Sequence, residues 1–413
     1  MTATVRPIVA DEVAQYMICL RTAFLDERDV TDEQVAWTTS RLDLDRQRTF
    51  GSFGDDGRLS GTAASFATPL TVPGGTTIPI AAVTQASVLP THRRRGHLTG
   101  LMKRVLTDAL DRDETATMLI AAEWPIYGRF GYGPATEAAQ YRVDTRAASF
   151  RDQSAAGTVD LVTREELRGL APPVFDAHRV HTAGCIGRDE PWWDRLVEVD
   201  TRPGSTPPPR RVRAVHRATD GTVDGYVVYD TTDTWTDNRP EGTLQVTEML
   251  CTGTEAYRGL WRFLCEVDLV VQVDAGPRPV DEPLAHLLVN GRAVRQRERS
   301  DHMWLRLLDV AGAIGARRYR VDSGLVLEVD DPALGRGGRF ALDGGPDGAD
   351  CRPIHAEPDL VVPVAALGAA YLGGASFAML AAGGSVEERT PGALARADAL
   401  FGVTPAPWCS TSF

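Results

Sequence analysis

The sequence predicts an α+β fold divided into three domains. The chain has 413 residues, and at roughly 150 residues per domain this length favours about three domains. Its residues are 43% hydrophobic and 24% charged, which is typical of a folded globular protein and excludes a disordered or fibrous chain. An order of β-like runs followed by an amphipathic helix occurs in the first third and recurs in part in the second third.

Composition also excludes several classes of function. No apolar run approaches the ~18 residues of a membrane helix, and the N-terminus lacks the apolar stretch of a signal peptide, so we expect a cytoplasmic protein without membrane contact. Six scattered cysteines and eight histidines form no metal-binding or disulfide pattern, so no metal is expected. The net charge of −12 argues against nucleic acid as a partner and favours a cationic ligand.

The first third predicts an antiparallel meander that leads into a strand–turn–helix unit. A β-like run covers residues 5–9, and a helix is expected from residue 11, an Asp of the N-cap type, to about residue 24. Gly-rich turns at residues 54–57 and 73–75 separate strand-like runs. A long β-branched run then covers residues 78–89 and stops at Pro90.

The segment after Pro90 has the chemistry of an anion site. It reads Thr91-His92-Arg93-Arg94-Arg95-Gly96-His97 and is followed by a helix with one apolar stripe, formed by Leu98, Leu101, Met102, Val105, Leu106 and Ala109. A helix N-terminus carries unpaired N–H groups and a positive partial charge, and Gly96 would let a phosphate approach the backbone. An Arg-x-x-Gly alone is more often a solvated connection, but the strand before it and the helix behind it favour the phosphate site.

The strand–helix order recurs in part from about residue 142. Strand-like runs at residues 225–229 and 244–250 precede a predicted helix over 254–264, without an Arg-Arg-Arg-Gly turn. We interpret this region as a degenerate second copy, with residues 207–209 as a surface loop. After residue 301, short strands at 325–329, 339–342 and 359–364 lead into an Ala/Gly-rich helical region over 367–400. The chain ends on apolar Trp408 and Phe413, although free termini are usually polar and frayed.

The strand–turn–helix unit, together with a later segment Trp124-Pro125-Ile126-Tyr127-Gly128-Arg129-Phe130-Gly131-Tyr132, resembles the cofactor-binding core of the GNAT acetyltransferase superfamily. Arg93 and Gly96 match its Q/R-x-x-G-x-G/A pattern, and Leu98 replaces the final small residue. The resemblance implies that β-like backbone pairs with the pantetheine of acetyl-CoA and that the turn holds its pyrophosphate. The implied cofactor-binding residues are Ala86, Ser87, Val88, Arg93, Arg94, Arg95, Gly96, His97, Leu98, Thr99, Ala122 and Glu123.

The tyrosine of the later segment is the implied general acid. Residues 126–132 match the superfamily's F-Y-x-x-x-G-F pattern, which implies that Tyr127 gives a proton to the departing thiolate. The ordinary pKa of a tyrosine, ~10, lies near that of the thiol. Tyr127 could instead be a core residue packed under the sheet, the role expected of Tyr132.

Taken together, the YGRFGYGPAT string, the VLPTHRRRG turn, the three-part layout and the PAPWC…F ending resemble the enhanced intracellular survival (Eis) family of acetyltransferases over essentially the whole chain. The resemblance implies GNAT-like domains at residues 1–140 and 141–299, the second without a functional cofactor site, and a sterol-carrier-protein-like α/β domain at 300–413. It also implies a homohexamer that acetylates aminoglycosides at several amines. The terminal carboxylate, here that of Phe413, would be the base.

The same resemblance points to Asp26, Trp37, Gln85 and Ser412 as acceptor-binding residues. An anionic Asp26 suits a cationic amine, and Trp37 suits a sugar ring. Asp26 could equally be a surface charge and Trp37 a core residue. Gln85 and Ser412 stand where related chains often have an aromatic and an acidic residue, and Ala122 replaces a Ser that often touches the cofactor.

We therefore expect direct acetyl transfer from acetyl-CoA to a primary amine of a polycationic small molecule. Two alternatives stay open. The acceptor could be a polyamine or a protein lysine, or the C-terminal domain could have a non-catalytic lipid- or ligand-binding role. Release of free thiol from acetyl-CoA with a panel of amines separates these possibilities.

Overall fold

The computed structural model describes residues 4–26, 28–42, 44, 47–152, 156–199, 203 and 211–413. The loop predicted at residues 207–209 lies outside these ranges. Two seven-stranded sheets and one five-stranded sheet organise the described chain, beside a small two-stranded hairpin, and each third of the sequence supplies most of one of the three large sheets. None of the described helices is both long enough and apolar enough to cross a membrane.

The first third forms the predicted meander and strand–helix–strand unit. In chain order its elements are β1 (Thr4–Pro7), α1 (Val13–Ala23), α2 (Asp32–Arg41), β2 (Thr49–Phe53), β3 (Leu59–Thr71), β4 (Thr77–Val88), α3 (His97–Asp111), β5 (Ala116–Ile120), α4 (Trp124–Tyr127) and β6 (Gly133–Pro134). Strands β4 and β5 pair in parallel because α3 carries the chain back across the sheet. The stripe on α3 packs on that sheet, with Leu101, Met102 and Val105 fully buried. Helix α2 was not predicted, although a capping box at Thr31 marks its start.

The middle third repeats this architecture. Its elements are β7 (Glu137–Asp144), β8 (Thr158–Leu161), α5 (Arg164–Arg179), α6 (Glu190–Leu196), β9 (Val212–Arg217), β10 (Val223–Thr232), β11 (Trp235–Thr236), β12 (Arg239–Pro240), β13 (Gly242–Cys251), α7 (Thr254–Cys265), β14 (Val270–Arg278), α8 (Leu284–Leu287) and β15 (Val294–Asp301). The second sheet has the order β15-β7-β14-β13-β10-β9-β8. Strands β13 and β14 are parallel and joined by α7, as β4 and β5 are by α3. The predicted second copy is confirmed.

The last third adds a smaller sheet covered by helices. Its elements are β16 (Met303–Leu307), α9 (Val310–Ala316), β17 (Ser323–Asp330), β18 (Gly338–Gly345), β19 (Gly348–Pro353), β20 (Leu360–Pro363), α10 (Val364–Tyr371), α11 (Phe377–Ala382), β21 (Glu387–Glu388) and α12 (Ala393–Phe401). The third sheet has the order β19-β18-β17-β20-β21. The three predicted strands and the helical region that follows them are confirmed.

Strand β16 does not belong to the third sheet. The first sheet has the order β1-β2-β3-β4-β5-β16-β6, so β16 lies between two strands of the N-terminal third. All five residues of β16 are buried, because Met303, Leu305 and Leu307 pack in the cluster shared with the last third on one face and Trp304 packs in the cluster of α3 on the other. The strand before it, β15, pairs with β7 in the second sheet. The boundary predicted at residue 300 therefore falls within a pair of strands that joins two sheets.

The third domain covers the face of the first sheet that α3 leaves free. One apolar cluster combines Ile80 and Met118 of the first sheet with Leu327 and Leu367 of the last third. Buried Arg306 of β16 strengthens this junction, since it donates hydrogen bonds to the Phe130 carbonyl at 2.9 Å and to Asp331 at 2.8 and 3.0 Å.

A second buried arginine fixes the place where the polypeptide leaves the third domain. Arg317 donates to the carbonyls of Tyr371 and Phe401, the last residues of α10 and α12, at 3.0 Å in the case of Phe401. The negative ends of two helices thus compensate its charge. Residues 402–413, here called the tail, start at this point.

Candidate active site

A cavity of about 590 Å³ opens where β4 and β5 stop pairing. The two strands pair from Ile80 opposite Ala116 to Val83 opposite Leu119 and then diverge. Every predicted cofactor residue except Arg95 lines this cavity, and so does Tyr127. The lining also includes residues that the sequence did not indicate, namely Ala23, Phe24, His92, Ile126 and Arg129.

An irregularity in β4 accounts for the divergence. Gln85 has a φ of 57°, and the register with β3 shifts between Thr62 and Ala64, as at a β-bulge, which bends its strand. The Tyr16 hydroxyl donates to Gln85 Oε1 at 2.6 Å, and the Thr62 hydroxyl donates to the Gln85 carbonyl at 2.7 Å. These bonds hold a backbone conformation that costs about 1–3 kcal/mol in a residue other than glycine. The Gln85 side chain, which was expected to contact the acceptor, therefore already forms a structural hydrogen bond with Tyr16.

The turn after β4 leaves polar groups free for an anion. Gly96 is the N-cap of α3 and has a φ of 87°, and a Cβ added there would meet no atom within 4 Å. The three arginines Arg93, Arg94 and Arg95 are exposed, and none forms an ion pair within the described part of the chain. Free helix N–H groups beside unpaired guanidinium groups suit a diphosphate.

His97 lines the cavity, but its side chain is held from the other side. The imidazole Nδ1 lies 2.8 Å from Ser52 Oγ, and the side chain is buried. Burial, followed by the electrostatic influence of the nearby His92 and Arg95 side chains, lowers the pKa of His97. The ring is therefore neutral at pH 7 and ties the first turn of α3 to β2.

Tyr127 and Tyr132 differ in their hydrogen bonds. Tyr127 is 6% exposed and lines the cavity, and its hydroxyl has no hydrogen-bond partner among the described residues. Burial, followed by the charge of Glu123, raises the pKa of Tyr127. Tyr132 is fully buried and accepts a hydrogen bond from the Thr117 hydroxyl at 2.8 Å. Only Tyr127 combines a free hydroxyl with access to the cavity.

The end of the tail reaches the first sheet. The Phe413 ring packs edge-on against Phe66 of β3, with 5.3 Å between ring centroids, in the cluster that also contains Ile120 at the end of β5. Phe66 lies opposite Ala82 of β4, close to the point where β4 and β5 diverge. The ring is half-buried, and no cation of the described chain pairs with the terminal carboxylate.

The acceptor residues expected from the resemblance are spread around this centre, outside the cavity lining. Asp26 accepts hydrogen bonds from Arg28 at 2.7 and 2.8 Å, with Arg21 Nε 3.8 Å away. These arginines, Arg28 first, lower the pKa of Asp26 well below its usual range. Trp37 stacks against the Arg41 guanidinium at 4.1 Å. Ser412 is exposed beside a separate cavity of the second domain.

The comparisons with known proteins agree with this architecture. Residues 4–135 match an acetyltransferase (GNAT) domain, residues 184–307 match a second domain of that description, and residues 310–410 match a sterol carrier protein domain. An N-acetyltransferase from Streptomyces avermitilis is 38% identical over 99% of this chain and 98% of its own length. The N-acetyltransferase Eis from Mycobacterium bovis is 34% identical over 80% of each chain. The crystal structure of Eis1 from Mycobacterium abscessus superposes with a TM-score of 0.85 at 36% identity, covering 99% of this chain and all of the other.

Proposed function

Because this chain belongs to the Eis family of GNAT N-acetyltransferases, we propose that it acetylates primary amines of polycationic small molecules, with aminoglycosides as the first candidates and several amines as targets. Acetyltransferases of this superfamily take the acetyl group from an acyl-CoA, and acetyl-CoA is the donor proposed here. One observation carries the proposal. The residues expected to hold the donor, except Arg95, line a single cavity together with Tyr127.

The cavity fits an acyl-CoA donor in shape and charge. Unpaired Arg93 and Arg94 and the open space at Gly96 suit the diphosphate. The backbone of Ala86 and Val88, next to the bulge in β4, suits the amides of the pantetheine arm, which would add to the strand as a further β-strand does. These features support the assignment of this cavity to the donor.

The chain's own groups would then divide the chemistry. Bound acetyl-CoA supplies an electrophilic thioester carbonyl and a thiolate leaving group. The Phe413 carboxylate accepts a proton from the acceptor nitrogen, which frees its lone pair to form the new C–N bond. Backbone N–H groups of β4 near Val88 polarise the carbonyl. As the C–S bond breaks, the Tyr127 hydroxyl donates a proton to the sulfur, and the second proton that the nitrogen loses on forming the amide returns through solvent to the Tyr127 oxygen.

Burial of Tyr127 supports this role. A raised pKa keeps the hydroxyl protonated throughout the neutral range, so the proton that the sulfur needs is present there. The absence of a hydrogen bond from Tyr127 to any described residue leaves that proton available.

Binding of the acceptor would displace the arginine side chains that now contact Asp26 and Trp37. Arg28, which covers Asp26, is 60% exposed, and Arg41 covers Trp37. We propose that ammonium groups of the acceptor replace these guanidinium groups on the Asp26 carboxylate and the Trp37 ring. A single ammonium would compete poorly with a bidentate arginine, so this arrangement favours acceptors with several charges. Gln85 and Ser412 remain proposed acceptor contacts. A homohexameric assembly and a cytoplasmic location are proposals that rest on the family and the composition.

The test is an acceptor screen. The purified protein is incubated with acetyl-CoA and with aminoglycosides, polyamines or a lysine peptide, free thiol is followed, and products are weighed by mass spectrometry. We expect turnover with aminoglycosides and mass gains of one or more acetyl groups. Turnover with only polyamines or peptides would contradict the proposed acceptor. Tight lipid binding without turnover on any amine would favour a non-catalytic role of the C-terminal domain.

A further inference from the structure

The second domain has a cleft in the position of the first domain's cofactor cavity. Strands β13 and β14 pair from Gly242 opposite Val270 to Val246 opposite Ala275 and then diverge, as β4 and β5 do. A cavity of about 170 Å³ opens at that point. The strands line it on one side, and the tail lines it on the other with Trp408, Ser410 and Ser412.

The chemistry of this cleft does not suit a CoA diphosphate. The turn before α7 lacks the arginines of the first domain, and the first turn of α7 carries Glu255. A carboxylate at a helix N-terminus competes with a phosphate for the same positive end. Glu248, one of the residues that line the cleft, instead forms a buried ion pair with Arg188 that points to a different ligand.

That ion pair is built around Arg188. The Arg188 side chain is 0% exposed and donates to both oxygens of Glu248, at 2.7 and 2.9 Å. Its guanidinium stacks on Trp192 at 3.5 Å and on Phe175 at 4.0 Å. The Tyr226 hydroxyl donates to the same carboxylate. Stacking and bidentate pairing fix the guanidinium plane, so its remaining N–H groups point in set directions.

Those remaining groups bind the tail. Arg188 Nε donates to Thr411 Oγ1 at 2.8 Å, and Nη2 donates to the Ser410 carbonyl at 3.2 Å and to Ser410 Oγ at 3.1 Å. Thr411 is buried, although it lies two residues from the end of the chain. Arg188 Nη1 also donates to the Tyr226 hydroxyl at 3.3 Å. The N–H groups of this fully buried cation that do not bind Glu248 or Tyr226 therefore all donate to two adjacent tail residues.

The second domain also grips the tail upstream of Thr411. Trp408 is buried among the aromatic side chains of α5 and α6, and its backbone N–H donates to the Ala183 carbonyl at 2.9 Å. The Ala406 N–H donates to Asp281 at 2.7 Å. The second domain therefore binds the tail at several positions between residues 406 and 411, whereas Phe413 packs on the first domain.

We propose that the cleft of the second GNAT domain is a binding site for the chain's own tail, and that Arg188 is the positioning residue that sets where the Phe413 carboxylate lies. The catalytic half of this inference rests on the proposed function. Two residues span at most about 7 Å, so fixing Thr411 confines the terminal carboxylate to a small region beside the first sheet. A domain that has lost its cofactor site thereby holds a group of the other domain's active site.

The test changes the tail and leaves the ion pair intact. Replacing Arg188 would strand Glu248 as a buried unpaired charge and could unfold the domain. Ser410→Ala combined with Thr411→Val removes both side-chain acceptors instead. Thr404→Val is the matched control, because Thr404 belongs to the same tail, is exposed, and has no hydrogen bond within the described chain. Two quantities are measured: the rate at which carboxypeptidase A releases Phe413, and kcat for acetyl transfer, with acetyl-CoA affinity alongside.

We expect the double variant to release Phe413 about tenfold faster or more, as follows from losing hydrogen bonds to a charged group. We expect kcat to fall at least tenfold, acetyl-CoA affinity to stay within a factor of two, and Thr404→Val to match the unmodified protein. An unchanged release rate in the double variant would overturn the binding site. Faster release with unchanged kcat would support the binding site and overturn the use of Phe413 as the base.

Discussion

Tyr127 is distinguished from its neighbour Tyr132 by what its hydroxyl contacts. Tyr132 accepts a bond from Thr117 inside the core, whereas Tyr127 lines the cavity with no partner among the described residues. A nearly buried hydroxyl that makes no bond gives up about 1 kcal/mol of stability. That cost is offset if the hydroxyl donates its proton to bound acetyl-CoA.

Replacing Tyr127 by Phe is expected to lower kcat by roughly 10²–10⁴-fold, the range for loss of one general acid. Acetyl-CoA affinity should stay nearly unchanged, because the ring is retained. Steady-state kinetics and a direct titration of acetyl-CoA check both statements. Tyr132→Phe is the control: it loses the Thr117 bond, about 1 kcal/mol, and should keep its turnover. Activity of Tyr127→Phe within threefold of the unmodified enzyme would make Tyr127 a packing residue.

For single residues, the sequence predicts a placement that a local pattern determines and misses a contact that distant residues determine. The cavity-lining turn and Tyr127 lie in short motifs, so their placement follows from a strand, a helix N-terminus and one resemblance. The bond that occupies Gln85 comes from Tyr16, 69 residues away, and Arg188 is more than 200 residues from Thr411 along the chain. No periodicity connects such positions.

Gly96 gives the N-terminus of α3 a left-handed backbone conformation, and its lack of a side chain leaves open space beside the first N–H groups of the helix. Gly96→Val places a β-branched residue at a φ of 87°, which costs about 1–2 kcal/mol, and puts methyl groups where the phosphate would lie. We expect the dissociation constant of acetyl-CoA, measured by calorimetry, to rise at least tenfold.

Gly221 provides the matched control for Gly96. Its φ is 86°, and a Cβ added there also meets nothing within 4 Å, but it lies in the turn between β9 and β10. Gly221→Val should therefore cost similar stability and leave acetyl-CoA binding unchanged. Equal affinities in the two variants would place the diphosphate elsewhere.

The tail segment should respond to pH through buried histidines. Burial lowers the pKa of His178, which stacks edge-on to Trp408, to about 4, with the charges of Arg278 and Arg188 adding to the effect and Glu248 opposing it. Burial also lowers the pKa of His302, next to Cys409. The unfolded chain protonates at about 6.5. The stabilisation from His178 is thus complete above pH 6.5 and is lost as the pH falls towards 4, by at most about 3 kcal/mol.

We therefore expect the melting temperature to fall, and Phe413 release by a carboxypeptidase active at both pH values to accelerate, between pH 7 and pH 5. His178→Asn keeps a donor for the Cys251 carbonyl, which lies 3.0 Å from Nδ1, and should flatten both profiles. His181→Asn changes an exposed residue of the same region and should leave both pH profiles as they are in the unmodified protein. Identical pH profiles for His178→Asn and the unmodified protein would rule out this source of acid sensitivity.

Elements with a clear period were predicted, and elements whose place depends on tertiary contacts were not. Helix α3 and strand β4 have strong local patterns: β4 is found within a residue of its predicted ends, and α3 contains the whole predicted apolar stripe. Helix α5 continues through Pro172 and Pro173, residues that usually end a helix. Strand β16 reads as an ordinary buried strand, and nothing in its five residues indicates that it joins the first sheet.

Across the whole molecule, the parts of the proposed site are divided among the three domains. The first domain carries the cavity and Tyr127. The third domain covers one face of the first sheet, and Arg317 fixes the point at which the tail begins. The second domain grips residues 406–411. This division accounts for the apolar chain end that the sequence displays, since Trp408 and Phe413 are anchors in two different domains.

If the terminal carboxylate of Phe413 is the base, kcat must respond to one glycine added after Phe413. One residue moves the carboxylate by up to ~3.3–3.6 Å, beyond the reach of a hydrogen bond, while the Phe413 ring and the Arg188 contacts can stay in place. We predict near-complete loss of acetyl transfer, with normal folding and acetyl-CoA binding, and full activity in a protein extended by one glycine at the N-terminus. An undiminished kcat after the C-terminal addition would contradict the mechanism and leave Phe413 as a hydrophobic anchor only.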